Sequence, residues 1–396
     1  MTNNNNKYSP ELRFPEFTDK WITKKLGEIT INKDSKRCPI SKTVRKKGIY
    51  PYYGANGIRD YVSDYIFDGE YLLVGEDGSV LTKENTPVIH WASGKFWVNN
   101  HAHVLSQKNG MSLKFISYVL STIKIEGRVT GIPPKLNQDS LHTILIPIPS
   151  SPIEQKKIAA CLSSLDIYLD TTKHKLELLK EYKKGLMQQL FPRNGKNVPE
   201  LRFPEFTGEW AEKRLGDSFK ERKEKNRNDL PLLSLGEKGL LYQSDTNRKD
   251  NSNTDKSKYL RIALGDIAYN TMRMWQGRCV FVDKEGIVSP AYTVCQPKEG
   301  IDSMFHYYLF KTHKMIEKFH RNSQGLVSDT LNLKFETFSK IKYFLPPSLT
   351  EQKKIADFLS KLDELIISES QQLEALNAHK NGLMQRLFPK ISTQDL

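Results

Sequence analysis

Cysteine is scarce in this chain: Cys38, Cys161, Cys279 and Cys295 are the 4 in 396 residues, far apart and with no CxxC pair among them. That excludes a zinc ribbon and a disulfide framework, and leaves reduced bystander thiols. No apolar run approaches the roughly 18 residues a membrane span needs, and the start, MTNNNNKYSP, lacks the apolar core of a signal peptide. The cytoplasm is therefore the expected compartment, with no membrane partner. Nucleotide-binding signatures are missing as well. There is no GxxxxGKS or GxxxxGKT loop, and Gly75-Glu76-Asp77-Gly78 sets two acids where a dinucleotide phosphate would lie, so it reads as a turn.

Catalytic constellations are absent too. Pro133-Pro134-Lys135 and Pro346-Pro347-Ser348 lack the flanking Asn or Asp and aromatic by which amino-methyltransferases hold a flipped base. His90, His101 and His103 show no metal-ligand spacing, while His306, His313 and His320 fall at sevens on one expected helix and read as its polar face. No metal site is expected. No nucleophile, base and orienter assemble, so the chain reads as a binder, not an enzyme.

Acidic residues are also in the minority. Asp and Glu number 46 against 60 Lys and Arg, a net charge of +14, which calls for an anionic partner, most commonly nucleic acid. The 38% hydrophobic and 27% charged composition is ordinary for a globular protein, and the length allows two or three domains.

What is present is a duplication. Glu154 to Pro192 (EQKKIAACLSSLDIYLDTTKHKLELLKEYKKGLMQQLFP) returns without a gap as Glu351 to Pro389, with about half the positions identical. Apolar residues follow a heptad seam in the first copy at Ile158, Leu162, Leu165, Leu169, Leu176, Leu179, Leu186 and Leu190. The second copy repeats it at Ile355, Leu359, Leu362, Ile366, Leu373, Leu376, Leu383 and Leu387. Thr172 and Lys183, and then Glu369 and Lys380, interrupt the two seams at matching places. Each copy is read as one helix of about 36 residues, roughly 54 Å long. Such a stripe needs cover, either from the other copy or from the helix's own neighbouring body.

A lead-in is doubled as well: PELRFPEFTDKW at Pro10 to Trp21 and PELRFPEFTGEW at Pro199 to Trp210, each followed by a Leu-Gly pair. The expected division is a first body over 1–152, a long helix over 153–192, a linker (PRNGKNVP) and second body over 193–349, a second helix over 350–390, and a tail over 391–396. Short aromatic and β-branched runs between turns predict strands near 50–53, 69–74, 88–89, 95–98, 103–105 and 143–148, ended by Pro147, Pro149 and Pro152, with a helix over 112–123. In the second body they predict strands near 239–243, 266–269, 278–282, 291–295 and 341–345 and a helix over 303–320. The class is α+β. The second body is tied to the end of one helix and the start of the other, so an antiparallel pair brings its attachment points together, whereas parallel helices would hold them about 50 Å apart. An antiparallel coiled coil with pseudo-two-fold symmetry follows, with the C-terminus near the first lead-in.

Each body carries cations mixed with aromatic and amide side chains. In the first, Arg37, Lys42, Arg45, Lys46 and Lys47 lead to Tyr53, Asn56 and Arg59; in the second, Lys220, Arg222, Lys223, Lys225 and Arg227 precede Arg273, Gln276 and Arg278. Lysines neutralise phosphates, while Arg, Asn and Gln make paired contacts to base edges. These residues are the candidate DNA contacts, with a solvated basic loop as the alternative for each cluster.

The doubled helix with its proline-rich entrances (LIPIPSSPIEQKKIA and FLPPSLTEQKKIA), the GLMQ…LFP exits, the doubled PELRFPEF and the body segments YLLVGEDG, GKFWVNNHAHV, GDIAYNTMRMWQG and GIVSPAY together resemble the specificity subunit of type I restriction-modification systems. The resemblance spans nearly the whole chain. It implies two target recognition domains, each reading one half of a split site on double-stranded DNA, and a helical spacer that sets the gap. It also implies no catalysis in this chain and no cofactor of its own. Methyltransferase subunits using S-adenosylmethionine and ATP-driven restriction subunits would assemble on it. A stand-alone two-headed DNA-binding regulator and a protein-binding scaffold are the alternatives.

Overall fold

The computed structural model describes residues 9–108, 110–193, 195–236, 239–245, 254–325 and 330–389; the expected tail and the first eight residues lie outside them, as does part of the linker. The chain separates into two compact units, Met1–Lys173 with Gln371–Leu396, and His174–Ser370.

In the first unit the lead-in runs into β1 (Trp21–Lys25), and the Leu26-Gly27 pair opens the one-turn helix α1 (Leu26–Ile29). Then come β2 (Thr30–Asn32), β3 (Lys47–Gly54), β4 (Gly57–Val62), β5 (Phe67–Gly75), β6 (Ile89–Val98) and β7 (Ala102–Gln107). Helix α2 (Leu113–Leu120) is capped by Ser112, whose hydroxyl accepts from the Phe115 amide at 3.2 Å. After α3 (Gln138–His142) and β8 (Leu145–Pro149) the long helix α4 (Pro152–Gln189) begins.

Strand order is β2-β7-β5-β6-β3-β4, with β1 and β8 forming a separate pair. Consecutive β5 residues serve opposite faces. Leu72 and Val74 enter a core with α2, the start of α4 and Leu387 and Phe388, whereas Leu73 joins Ala92, Phe96, Val98 and Val104 on the other side. This explains why Leu72, Leu73 and Val74 of the strand form an apolar run instead of an alternating one. Pro147 and Pro149, expected to end a strand, lie inside β8 opposite Thr23 and Trp21. A two-stranded ladder leaves β8 one open edge, where a missing N–H costs little.

The second unit repeats the plan with β9 (Ala211–Arg214), α5 (Leu215–Ser218), β10 (Phe219–Glu221), β11 (Leu233–Gly236), β12 (Gly239–Tyr242), β13 (Leu260–Ile262), β14 (Ile267–Asn270), β15 (Cys279–Phe281), β16 (Gly286–Val288) and β17 (Tyr292–Pro297). Next are α6 (Ser303–Phe310), α7 (His313–Asn322), α8 (Phe335–Phe338), β18 (Lys342–Leu345) and the long helix α9 (Leu349–Leu387). Its sheet order, β10-β17-β14-β15, matches β2-β7-β5-β6 strand for strand, so the diverged bodies keep one antiparallel core. Ile267 and Tyr269 of β14 face the core with α6, α7 and both long helices, and Ala268 faces Val280 and Val294.

The helix expected over 303–320 is two helices. Thr312 stops the first by capping the second, its hydroxyl accepting from the Met315 amide at 3.4 Å. His306 is consequently buried in the core while His313 and His320 are exposed, so the three share no polar face.

The long helices run antiparallel within each unit. In the first, Asp166 pairs with Lys380 and the Tyr168 hydroxyl accepts from Gln372; in the second, Lys175 pairs with Glu369 and Lys183 with Asp363. Every residue of the two seams is buried or half-buried. The two ways of covering the stripe both operate. The seam ends Ile158, Leu162, Leu383 and Leu387 belong to the first body's core, and Leu186, Leu190, Ile355 and Leu359 to the second's.

The doubled lead-in proves to be a strap across the helix pair. The Leu12 amide donates to the Arg386 carbonyl at 2.9 Å, near the end of α9, bringing the last helical turns beside the first lead-in as expected. The next residue, Arg13, grips Glu154 at the start of α4 with two bonds of 2.7 and 2.8 Å, and Trp21 Nε1 adds a third at 3.2 Å. The second unit repeats it: Leu201 on Gln189 at 3.0 Å, Arg202 on Glu351 at 2.8 Å twice, and Trp210 on Glu351 at 3.2 Å. The following glutamines, Gln155 and Gln352, bond the backbone at Ser112 and Asp302 beside the body helices. The repeated EQ pair is thus where strap, body and long helix meet.

Candidate nucleic-acid interface

The basic cluster of the first unit divides into inward and outward cations. Arg37 is turned inward: its Nη1 donates to Glu76 at 2.5 Å and to the Ala102 carbonyl at 2.9 Å. Arg45 anchors its loop, holding the Ile40 carbonyl at 3.0 and 3.1 Å and Asp60 at 3.2 Å while lying 4.2 Å over the Tyr52 ring. Tyr53 is a core residue against Phe96, and burial holds its hydroxyl above the usual tyrosine range, so it offers no stacking face. The side chains of Lys42, Lys46 and Arg59 are exposed and form no hydrogen bond or ion pair with another described residue, and Lys47 is exposed beside Asp60. Asn56 is exposed with its amide on Ser79 at 2.8 Å.

The second cluster divides the same way. Arg222 clamps the buried Asp266 at 2.7 and 3.0 Å, and Arg227 binds Asp229 at 2.7 and 2.8 Å. Lys223 lies 2.9 Å from Glu221, whereas Lys220 and Lys225 are exposed without such a partner among the described residues. Arg273, Gln276 and Arg278 do come together, lining a groove of about 780 Å³ with Asn270, Asp283 and Tyr292. The turn carrying them is fixed from behind. Trp275 packs edge-on to His320 at 5.7 Å, and Gly277 adopts φ +72° where a Cβ would stand 2.9 Å from Ile316. Gln276 and Arg278 are left exposed at its rim.

The lysine interruptions of the two seams, Lys380 and Lys183, have a structural cause that periodicity could not supply. The Tyr118 hydroxyl of α2 donates to Asp166 of α4 at 2.5 Å, and Lys380 of α9 pairs with the same carboxylate. Tyr308 of α6 donates to Asp363 of α9 at 2.8 Å, and Lys183 of α4 lies 2.5 Å from that carboxylate. Each clasp ties one body helix to both long helices, so the seam is polar there by design of the joint. Burial, with the aspartate adding to it, holds both tyrosine hydroxyls above their usual range. Asp363→Ala should lower stability by about 1.5–3 kcal/mol, since the lost bonds are to a charged group. A denaturant midpoint unmoved by that change would show the clasp to be ornamental.

The three strand histidines do not converge. His90 bonds the Ala55 carbonyl, His101 faces Asp77 and the buried His103 sits between Asp34 at 2.6 Å and the Leu136 carbonyl at 2.8 Å. Asp34, Glu76 and His103 do bring three ligand atoms within 4.8 Å of one another. Arg37 and Lys135 already neutralise Glu76, and Arg37 also lies 3.4 Å from Asp34, so the cluster reads as an ion network. Burial opposes the Asp34 charge, but bonds from His103 and the Val104 amide hold its carboxyl below the usual range.

The arrangement is matched elsewhere. The family model for the type I restriction modification DNA specificity domain matches twice, over residues 18–181 and 207–378. A Haemophilus influenzae protein assigned as a type I restriction enzyme specificity subunit is 28% identical over 88% of this chain and 89% of its own length. The MjaVIII specificity subunit of Methanocaldococcus jannaschii is 32% identical over 52% of this chain and 47% of its own. The crystal structure of the S subunit of a type I restriction-modification system from M. genitalium shares the fold, with a TM-score of 0.69, 17% identity and coverage of 97% of this chain and 100% of that one. With the family model matching each half over its sheet core and most of its long helix, the chain belongs to the type I restriction-modification DNA specificity family.

Proposed function

We propose that this chain is the sequence-reading subunit of a type I restriction-modification complex, each body reading one half of a bipartite site on double-stranded DNA while the helix pair sets the gap. The observation that carries this is the duplication itself: both bodies keep the same core and straps yet present different outward cations and amides, as two readers of different half-sites require. Lys42, Lys46, Lys47, Lys220 and Lys225 suit phosphates, and Arg59, Gln276 and Arg278 suit base edges. Methyltransferase subunits dock on the helix pair and ATP-driven restriction subunits join them, bringing S-adenosylmethionine and ATP, so that no catalysis falls to this chain. Soluble partners of this kind place the work in the cytoplasm.

The test is methylome sequencing of a host given the full chain with a methyltransferase subunit of the family. A two-part methylated motif with a fixed gap is expected, and a continuous motif or no new methylation overturns the reading. In the same complex, Lys46→Glu with Lys47→Glu should weaken binding to every DNA sequence alike, by roughly tenfold or more at physiological salt. The slope of log affinity against log salt should fall by about 2. An unchanged slope would return these lysines to the solvated-loop alternative.

A further inference from the structure

The hairpin β3–β4 holds one side chain in water by construction. Lys47 and Tyr50 both stand opposite Val62, so Gly48 and Ile49 are bulged out between them. The bulge depends on glycine: a Cβ at position 48 would lie 2.3 Å from the Val62 carbonyl oxygen and from the Ser63 Cα. Its result is Ile49 at 79% exposure, with Val44 of the preceding loop at 69%. That loop is braced, since Arg45 fixes it to the Ile40 carbonyl, Asp60 and the Tyr52 ring. A braced loop and a glycine-dependent bulge that together keep two aliphatic side chains in solvent gain nothing for the core.

The surroundings say what would cover them. Lys42, Lys46, Lys47 and Arg59 lie along this loop and hairpin, and the acid of β4, Asp60, is engaged by Arg45. An apolar bulge beside Lys46 and Lys47, at the end of the hairpin away from its turn, suits a polyanion that has apolar groups of its own. A two-stranded ribbon fits the DNA major groove, where the apolar group on offer is the thymine 5-methyl. β4 stands at the edge of its sheet, so the ribbon is not covered by a further strand.

We infer that the bulge at Gly48–Ile49 enters the major groove of one half-site and that Ile49 reads a thymine methyl there, the flanking lysines holding phosphates. This rests on the DNA-reading function proposed above and deepens it.

The test uses the full chain in complex with a methyltransferase subunit and duplexes carrying the motif read from the methylome, with each thymine of each half-site replaced in turn by uracil, which lacks only the methyl. For the unaltered complex, one uracil in a single half-site should weaken binding about tenfold. I49A should bind the thymine duplex about tenfold more weakly and no longer distinguish uracil from thymine at that position, while binding to unrelated DNA is unchanged. The inference is overturned if I49A binds as the unaltered chain does, if it keeps the full thymine preference, or if it fails to assemble with the methyltransferase subunit, which would make Ile49 a protein contact. An unaltered complex showing no salt-sensitive DNA binding would overturn the proposed function as well. Normal binding without coupling between Ile49 and a methyl would overturn this inference alone.

Discussion

Glu154→Ala is expected to destabilise the first unit by about 3–5 kcal/mol. The carboxylate is fully buried and takes both bonds of the Arg13 fork together with Trp21 Nε1, so its removal strands a guanidinium that is itself only 18% exposed. The loss exceeds that of a surface pair, which is worth at most about 1 kcal/mol. The strap also fixes β1 to β8, so hydrogen exchange should localise the damage, with protection falling over Trp21–Lys25 and Leu145–Pro149. Glu351→Ala should do the same to the second unit through Arg202 and Trp210. Glu154→Gln, which keeps an acceptor but no charge, should fall between. A midpoint within about 0.5 kcal/mol of the parent would mean that water replaces the carboxylate without cost.

Acidification should weaken the second unit through His306. The ring is wholly buried, edge-on to Phe219 at 5.0 Å, and its Nδ1 lies 2.7 Å from the Asp302 carbonyl, an acceptor only, so the proton sits on Nδ1. Nε2 then accepts from the Tyr343 hydroxyl at 2.9 Å. Burial lowers the imidazole from its usual value near 6.5 to about 4. The unfolded chain therefore takes up a proton at a higher pH than the folded one, and protons favour unfolding between these values. The His306 contribution is fully present above pH 6.5 and is lost as pH falls through 4, a change on the order of 3 kcal/mol. Melting profiles of the parent and His306→Gln should differ in slope over that window, most cleanly above pH 5 where carboxylates titrate little. Parallel profiles would show that His306 is charged or solvated in the native state.

Several features were legible before any coordinates, because they are local or repeated. The heptad spacing specifies the long helices, and the connection of the second body to both of them specifies their antiparallel course. Leu72, Leu73 and Val74, and likewise Ile267, Ala268 and Tyr269, are visible as short apolar runs because they are buried on both faces. The strap was visible as a motif but not as a mechanism: nothing in PELRFPEF announces that its arginine seeks a glutamate 141 residues later. The break at Thr312 was missed because a threonine within an apolar periodic stretch reads equally as helix or cap.

The basic clusters show most clearly where a sequence stops informing. Arg37 and Lys46 look equivalent in a run of cations, yet Arg37 meets Glu76 and a strand carbonyl while the Lys46 side chain is exposed. Tyr53, expected among the DNA contacts, enters the core, while Ile49, for which the sequence suggested no role, is left in solvent by the bulge at Gly48. Periodicity and internal repetition determined the helices, their direction, the doubled plan and the kinship, since these depend on neighbours along the chain. Only the tertiary structure decided which charges are spent inside and which remain for a partner, since a cation's fate depends on whether the fold brings it an acid from far along the sequence.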